Sequence, residues 1–455
     1  MPIDRRSLVT LTAAGLGAQV ALSRTPAEAR IVSPHAGALD AAHFGVDPSV
    51  TEDQSAVLQR AIDEAALRGT PLFLPPGRYL VRDIKLPSGL YLSGVPGRSQ
   101  LLFAGGDTML IARDAERLTL AGLTVAAAGN RFTDPTPGLV YLRSVAALSV
   151  EGCQISGGTR SGLSLEYCAG RISNCDIWGC HYTGILSLDA AGLEISGNTV
   201  RDCGNNGIQV WRSKQGEDGT IVTQNRILGI AARDGGSGQN GNGIVVFRAG
   251  SVIVANNRIT DCAFSAVRCN AGSNCQILGN SCARLGEKAL YAEFGFQGAV
   301  IANNIVDGAE VGVSITNFDR GGRLAVCSGN IIRNISDSTE PARRGSGGIG
   351  IFAEADTVVA SNVIEKASRV GLWLGWGAAL RDVSATGNVV RDSDIGIAVS
   401  VAPGAGGAVI ADNLISRTRS GAIIGMEWAK AATGDLAQDG AARFPKLRVE
   451  RNYVS

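Results

Sequence analysis

The sequence predicts an all-β chain, a single-stranded right-handed parallel β-helix of about 12 or 13 coils with an N-terminal capping helix. Three observations predict it. The first is a short phrase: an apolar residue, two free positions, an Asn or Cys, one free position and another apolar residue. It recurs at Cys153, Cys175, Asn198, Asn225, Asn257, Asn280, Asn304, Asn330, Asn362, Asn388, Asn413 and Asn452. Steps are about 22 to 27 residues with three longer ones, a period that means stacked supersecondary units. The second is a small residue eight or nine positions after the slot in regular coils, at Gly162, Gly184, Gly207, Gly243, Ala266, Ala289, Gly312, Gly348, Gly371, Gly396 and Gly421. Apolar residues follow it at the first and third positions, as in Ile208 and Val210, Ile244 and Val246, or Ile349 and Ile351, which is strand alternation. The third is composition: 60 Gly, 45% hydrophobic and only 5% aromatic residues suit short strands, tight turns and a narrow core.

Taken in chain order, residues 1–29 read as a twin-arginine export signal. Arg5 and Arg6 precede an apolar stretch from Leu8 to Leu22, and Ala27, Glu28 and Ala29 offer a small-residue cleavage site. No later segment has the roughly 18 uninterrupted apolar residues of a membrane span, so the mature chain is expected to be periplasmic or secreted. Residues 30–105 form an N-terminal capping segment. Thr51 and Gln54 have capping-box spacing, and Val57, Leu58, Ala61, Ile62 and Ala65 share one helical face. An array of coils has an exposed apolar end, and this helix would cover it.

Residues 106–455 carry the coils, each read as two short strands. A buried Asn fits such a stack because its amide has two donors and an acceptor with two lone pairs, so identical residues above and below satisfy one another. Right-handed winding follows from the handedness of parallel strand connections. The ten cysteines read as small apolar core thiols, with Cys180, Cys203 and Cys262 each five residues after a slot; pairing after export is the alternative. Without CxxC and with only His35, His43 and His181, a zinc site is not expected.

The N-terminal segment, with Phe44, Gly45, Val46, Asp47, Asp53, Ala61, Ile62 and the turn Leu74, Pro75, Pro76, Gly77, Arg78, Tyr79, resembles the opening of right-handed β-helix proteins of the pectin lyase-like superfamily. With its export signal, the chain is most similar to the twin-arginine-translocated repeat proteins, whose activity is unassigned. The resemblance implies the architecture and leaves lyase, hydrolase, epimerase and binding functions open.

A net charge of +1 gives no reason to expect nucleic acid or an anionic membrane as partner. Asn225 to Asn257 and Asn330 to Asn362 each span 32 residues, and Gly243, Ile244, Phe247, Asn257 and Ile259 match Gly348, Ile349, Phe352, Asn362 and Ile364 at a constant offset. This reads as a duplicated four-coil block with two loops, Ala231 to Asn242 and Ser336 to Gly347, on one face about 19 Å apart. The three short coils between them would leave a recess.

Outward positions there are Gln209, Trp211, Arg212, Phe247, Arg248, Arg268, Asn270, Tyr291, Glu293, Ser314, Thr316, Phe352, Trp373 and Trp376. Aromatic faces beside hydrogen-bonding groups suit a polysaccharide or oligosaccharide, with Trp211, Arg212, Phe247, Asn270, Thr316, Phe352 and Trp373 as contacts. Packing beneath the loops is the competing reading for Trp211, Phe247 and Phe352. Arg212 and Arg248, on adjacent coils, would need an anion or an acidic partner such as Glu217, Asp218 or Glu293 between them. If the recess is catalytic, Arg248 and Arg268 would steady a uronate carboxylate while Tyr291 or Glu293 takes a proton, giving elimination or epimerisation. Hydrolysis needs two carboxyls; Glu293 lacks an evident partner, since Glu354 is expected two coils away in another column. His181 and Tyr182 form a second acid and base candidate. Gly236, Gly238 and Gly241 fit GxGxxG, but no helix follows, so no dinucleotide cofactor is expected. No cofactor is expected, and calcium held by scattered loop acids stays open. A non-catalytic carbohydrate-binding protein and a structural spacer are the alternatives.

Overall fold

Each coil contains three short parallel strands, one more than the sequence reading. One precedes the Asn slot (Leu193–Ser196), one follows it (Thr199–Arg201), and one begins at the small residue (Asn206–Glu217). The computed structural model describes residues 37–132, 137–236, 238–317 and 323–455, so the expected export signal at 1–29 lies outside the described residues. Strands after the slot stack into a 15-stranded sheet, and the other two ladders merge into a 29-stranded sheet. Gly421–Glu427 and Lys430–Asp435 form an antiparallel hairpin among these parallel pairs.

The slot sits at a turn, which is why one phrase was legible where two strands exist. The residue before every slot, from Gly152 and Asn174 to Arg451, is left-handed with φ between 50° and 67°. Glycine and asparagine accept that backbone most readily, and Gly or Asn fills most of these positions. The turn swings the Asn side chain inward. Asn280 Oδ1 accepts from Asn257 N and Nδ2 at 3.0 Å, while Asn280 Nδ2 donates to Val254 O and to Asn304 Oδ1 at 3.0 Å. The pattern continues to Asn452. Cys153 and Cys175 head the column, where Cys175 N still donates to Asn198 Oδ1 at 2.9 Å. All ten cysteines are free and buried.

Helix α1 (Ser55–Leu67) buries Leu58, Ala61, Ile62 and Ala65 against the main core. The expected capping box at Thr51 does not form. Asp53 accepts from Ser55 N at 2.8 Å, while Gln54 turns back to bond the backbone of Asp47 and Val50. The helix starts at Ser55 with Gln54 at the cap position, so Thr51 lies three residues too early to meet its free N–H groups.

The small-residue column holds Gly350 and Ala422 where Gly348 and Gly421 were expected. Val313 pairs with Ile351 and Ile397 with Ile423, which puts Gly350 opposite Gly312 and Ala422 opposite Gly396. A Cβ on Gly312 would stand 2.5 Å from Gly350 O, so the column is small because backbones approach closely there. The slip is one residue at Ala422 and two at Gly350, where it preserves strand parity but moves Ile349 outward, into a second apolar cluster with Val311, Val370 and Trp373. It also moves Phe352 beside Ser314, whereas the position matching Phe247 belongs to Glu354.

Candidate functional site

The outer face of the third ladder is where polar side chains become buried. Going up the stack, Val245, Arg268, Tyr291, Ser314, Phe352 and Trp373 form one column. Phe247, Asn270, Glu293 and Thr316 form the next, with Glu354 following by continuation of the register. Strand alternation sends these side chains outward. Two loops cover them, 231–241 and 336–348, entering just before the strands Asn242–Gly250 and Ile349–Ala353.

Beneath the first loop lies a cavity of about 710 Å³ lined by Trp211, Phe247, Arg268, Asn270, Tyr291 and Glu293, together with Tyr182, Asp234, Gln239, Asn240, Glu287 and Lys288. Arg268 Nε stands 2.5 Å from Glu293 Oε1, which also accepts from Asn270 Nδ2 at 2.9 Å. The Arg268 guanidinium carbon is 5.1 Å from the Tyr291 ring centre, and Lys288 Nζ is 4.6 Å from it. Burial, and next the Glu293 carboxylate, push the Tyr291 phenol far above its usual range. Tyr291 therefore stays protonated at neutral pH and can donate a proton but is a poor base. Trp211 and Phe247 meet edge to face with centroids 5.7 Å apart, and the buried Trp211 Nε1 has no acceptor.

The loop is pinned over this cluster. Asn205 Nδ2 donates to Asp234 Oδ2 at 2.6 Å, Asn206 Nδ2 to Gln239 O at 3.1 Å, and Asn242 Nδ2 to Gly238 O at 2.8 Å. Gly238 sits directly on Arg268: an added Cβ would come 1.3 Å from its Nη1.

A second cavity of about 360 Å³ lies under the second loop and contains Thr316, Phe352, Trp373 and Trp376, again with Glu287 and Lys288. Arg343 in this loop pairs with Glu310 at 3.1 Å, and burial raises the Glu310 carboxyl above its ordinary value.

Four expectations change. Arg248 does not reach either cavity: with φ +59° it turns away after Phe247, donates to Ser213 O at 3.0 Å and is exposed. Arg212 is not its ladder neighbour, because the register shifts between Trp211 and Gly216. It lines a separate cavity of about 560 Å³ with Asp189 and Asp218, its Nη1 3.9 Å from Asp218 Oδ2, so an acidic partner is built in. Glu354 shares the column of Glu293 rather than another one, but is buried and accepts from Asn317 N at 2.6 Å. His181 is exposed, while Tyr182 reaches the first cavity.

Sequence reasoning missed Glu287, Lys288, Asp234, Gln239 and Asn240. The first two directly precede the small residue Ala289, and a charged pair placed there in a short coil was the available signal. Among the described residues, no three His, Cys, Asp or Glu side chains gather to hold a metal ion, and no helix is long and apolar enough to cross a membrane.

The family described as right handed beta helix region matches residues 122–227 and 161–326. The chain is a right-handed parallel β-helix. Among solved structures, this β-helix is similar to DFA-IIIase from Arthrobacter chlorophenolicus without its lid, at 16% identity and TM-score 0.50, covering 84% of this chain and 98% of that one. It is similar to the pre-mature gene product 12 of bacteriophage phi29 at 12% identity and TM-score 0.52, covering 86% and 55%. The catalytic unit of a GH87 alpha-1,3-glucanase from Streptomyces thermodiastaticus aligns at 15% identity and TM-score 0.49, covering 92% and 69%. At such identities the likeness concerns the fold. No curated protein sequence matches this β-helix.

Proposed function

We propose that this β-helix is an exported protein that binds a polysaccharide in the trough beneath its first loop. Export would use the twin-arginine machinery, and helix α1 would cap a stack of about 12 or 13 coils. The observation that carries the binding reading is the first cavity, where Trp211, Phe247 and Tyr291 share walls with Asn270, Glu287 and Glu293. A pyranose ring needs that combination: apolar faces for its C–H groups and fixed acceptors and donors for its hydroxyls.

A second reading makes the same trough catalytic. Elimination or epimerisation of a uronate asks Arg268 to leave Glu293 and asks Tyr291 or Glu293 to act as base; the 2.5 Å ion pair and the protonated phenol work against both steps. Hydrolysis asks for two carboxyls, and Glu287 and Glu293 line one cavity. Glu293 is held by that same ion pair and Glu287 by Lys288 at 2.9 Å, so hydrolysis meets the same obstacle as elimination.

A glycan array probed with the mature chain and with Trp211→Ala tests binding; a ligand that depends on Trp211 supports it, and no ligand at all sinks it. The hits are then assayed for new reducing ends and for unsaturated uronates, which separates hydrolysis from elimination.

A further inference from the structure

The shelf beneath the second loop has no role in the chemistry just described. Phe352 and Trp373 have ring centres 6.2 Å apart, Trp373 and Trp376 5.7 Å, and Trp376 and Trp428 5.9 Å. In a chain with 5% aromatics, four linked rings on one outer face are a concentrated feature. Trp373 is 3% exposed and its Nε1 meets no acceptor, although it lines an open cavity. A buried donor of this kind is costly to leave unmet, so the cavity asks for a ligand atom that accepts a hydrogen bond beside an aromatic face.

We propose that this shelf is a second sugar subsite, continuous with the first cavity, and that together they take an uncharged, linear polysaccharide laid along the helix axis. The inference rests on the binding reading above and adds the ligand's direction and charge class. Continuity follows from shared walls, since Glu287 and Lys288 line both cavities. Direction follows from register: Phe247 and Trp373 are five strand spacings apart, about 24 Å, with Tyr291 between them.

Charge class follows from the walls. The two cavities are lined by Asp234, Glu287, Glu293 and Glu310 against Arg268, Lys288, Arg343 and Arg369. These charges cancel, so the trough has no net field to draw a polyanion. The cations are also engaged: Arg268 with Glu293, Lys288 with Glu287 at 2.9 Å, Arg343 with Glu310, and Arg369 with Gly347 O at 3.0 Å. A uronate would have to break one of those contacts to gain another. Hydroxyls and ring oxygens can instead accept from Trp211 and Trp373 with every ion pair intact.

Titration calorimetry with the full chain would use short and long neutral glucan oligomers, matched oligouronates and an amphipathic peptide. Long neutral oligomers should bind roughly tenfold tighter than short ones. Trp376→Ala, with its melting profile recorded to show that the variant folds, should erase most of that length advantage, a loss of about three- to tenfold. Trp373→Phe keeps a ring and removes the donor, and should weaken long oligomers in the same direction. Absence of a length advantage, or its survival in Trp376→Ala, overturns the second subsite while Trp211-dependent binding of short oligomers stands. Tighter oligouronates overturn the charge class, and preference for the peptide overturns the sugar occupant. No glycan binding at all removes the binding reading itself.

Discussion

Arg268 Nε lies 2.5 Å from Glu293 Oε1 on neighbouring coils, with side chains only 10% and 1% exposed. A pair this buried repays its own desolvation only while both members are present. Arg268→Met should therefore lower stability by about 3–5 kcal/mol, because it leaves a buried carboxylate without its cation. Adding Glu293→Leu should recover part of that loss. Urea midpoints of the two single variants and the double variant measure the coupling, and additive losses would contradict it.

The Asn column makes a graded prediction. Asn280→Ala removes the acceptor for Asn257 N and Nδ2 and the donor to Val254 O, all buried in mid-stack. At roughly 1–3 kcal/mol for each stranded buried group, the loss should exceed about 3 kcal/mol. Asn452→Ala strands Asn413 N and Nδ2 near the end of the column, where burial is partial. Its loss should be smaller, and equal denaturation midpoints for the two variants would rule out a graded column.

That column was legible in the sequence because it repeats, and its residues have one physical solution in a parallel stack. The site was only half legible. Strand parity sent Arg268, Asn270, Tyr291 and Glu293 to the outer face, and the loops' positions showed where cover would fall. Arg248 and Arg212 escaped the pattern through a left-handed residue and a bulge, features that depend on backbone angles rather than side-chain period. Phe352 was misaligned with Phe247 because the loop before it is two residues longer than its counterpart, and equal spacing between Asn slots concealed the difference. Glu287 lies in a bend and Lys288 at the first position of the strand Lys288–Glu293, before the alternation that identifies outward residues begins.

Gly238 ties the first loop to the ion pair. Its φ is +110°, and a Cβ would lie 1.3 Å from Arg268 Nη1. Gly238→Ala should displace the loop or the guanidinium, at a cost of about 1–3 kcal/mol from the backbone angle alone. Limited proteolysis should cut residues 231–241 faster in the variant, and glycan affinity should fall. An unchanged cleavage rate would mean that the loop does not depend on this contact.

Burial holds the Cys282 and Cys327 thiols at a pKa of about 12, against an unfolded value near 8.5. The raised value means that above about pH 8.5 the unfolded chain loses these protons while the folded chain keeps them. Their contribution is complete below that pH and is lost progressively as pH rises through the folded value. Denaturant midpoints should therefore fall between pH 8.5 and 10.5, with Tyr291 adding in the same direction. Cys327→Ala should lower stability at pH 7 through its cavity yet flatten the alkaline slope. A thiol-specific reagent should find these cysteines unreactive at pH 8 until denaturant is added; rapid native labelling would show that the core opens more readily than its packing implies.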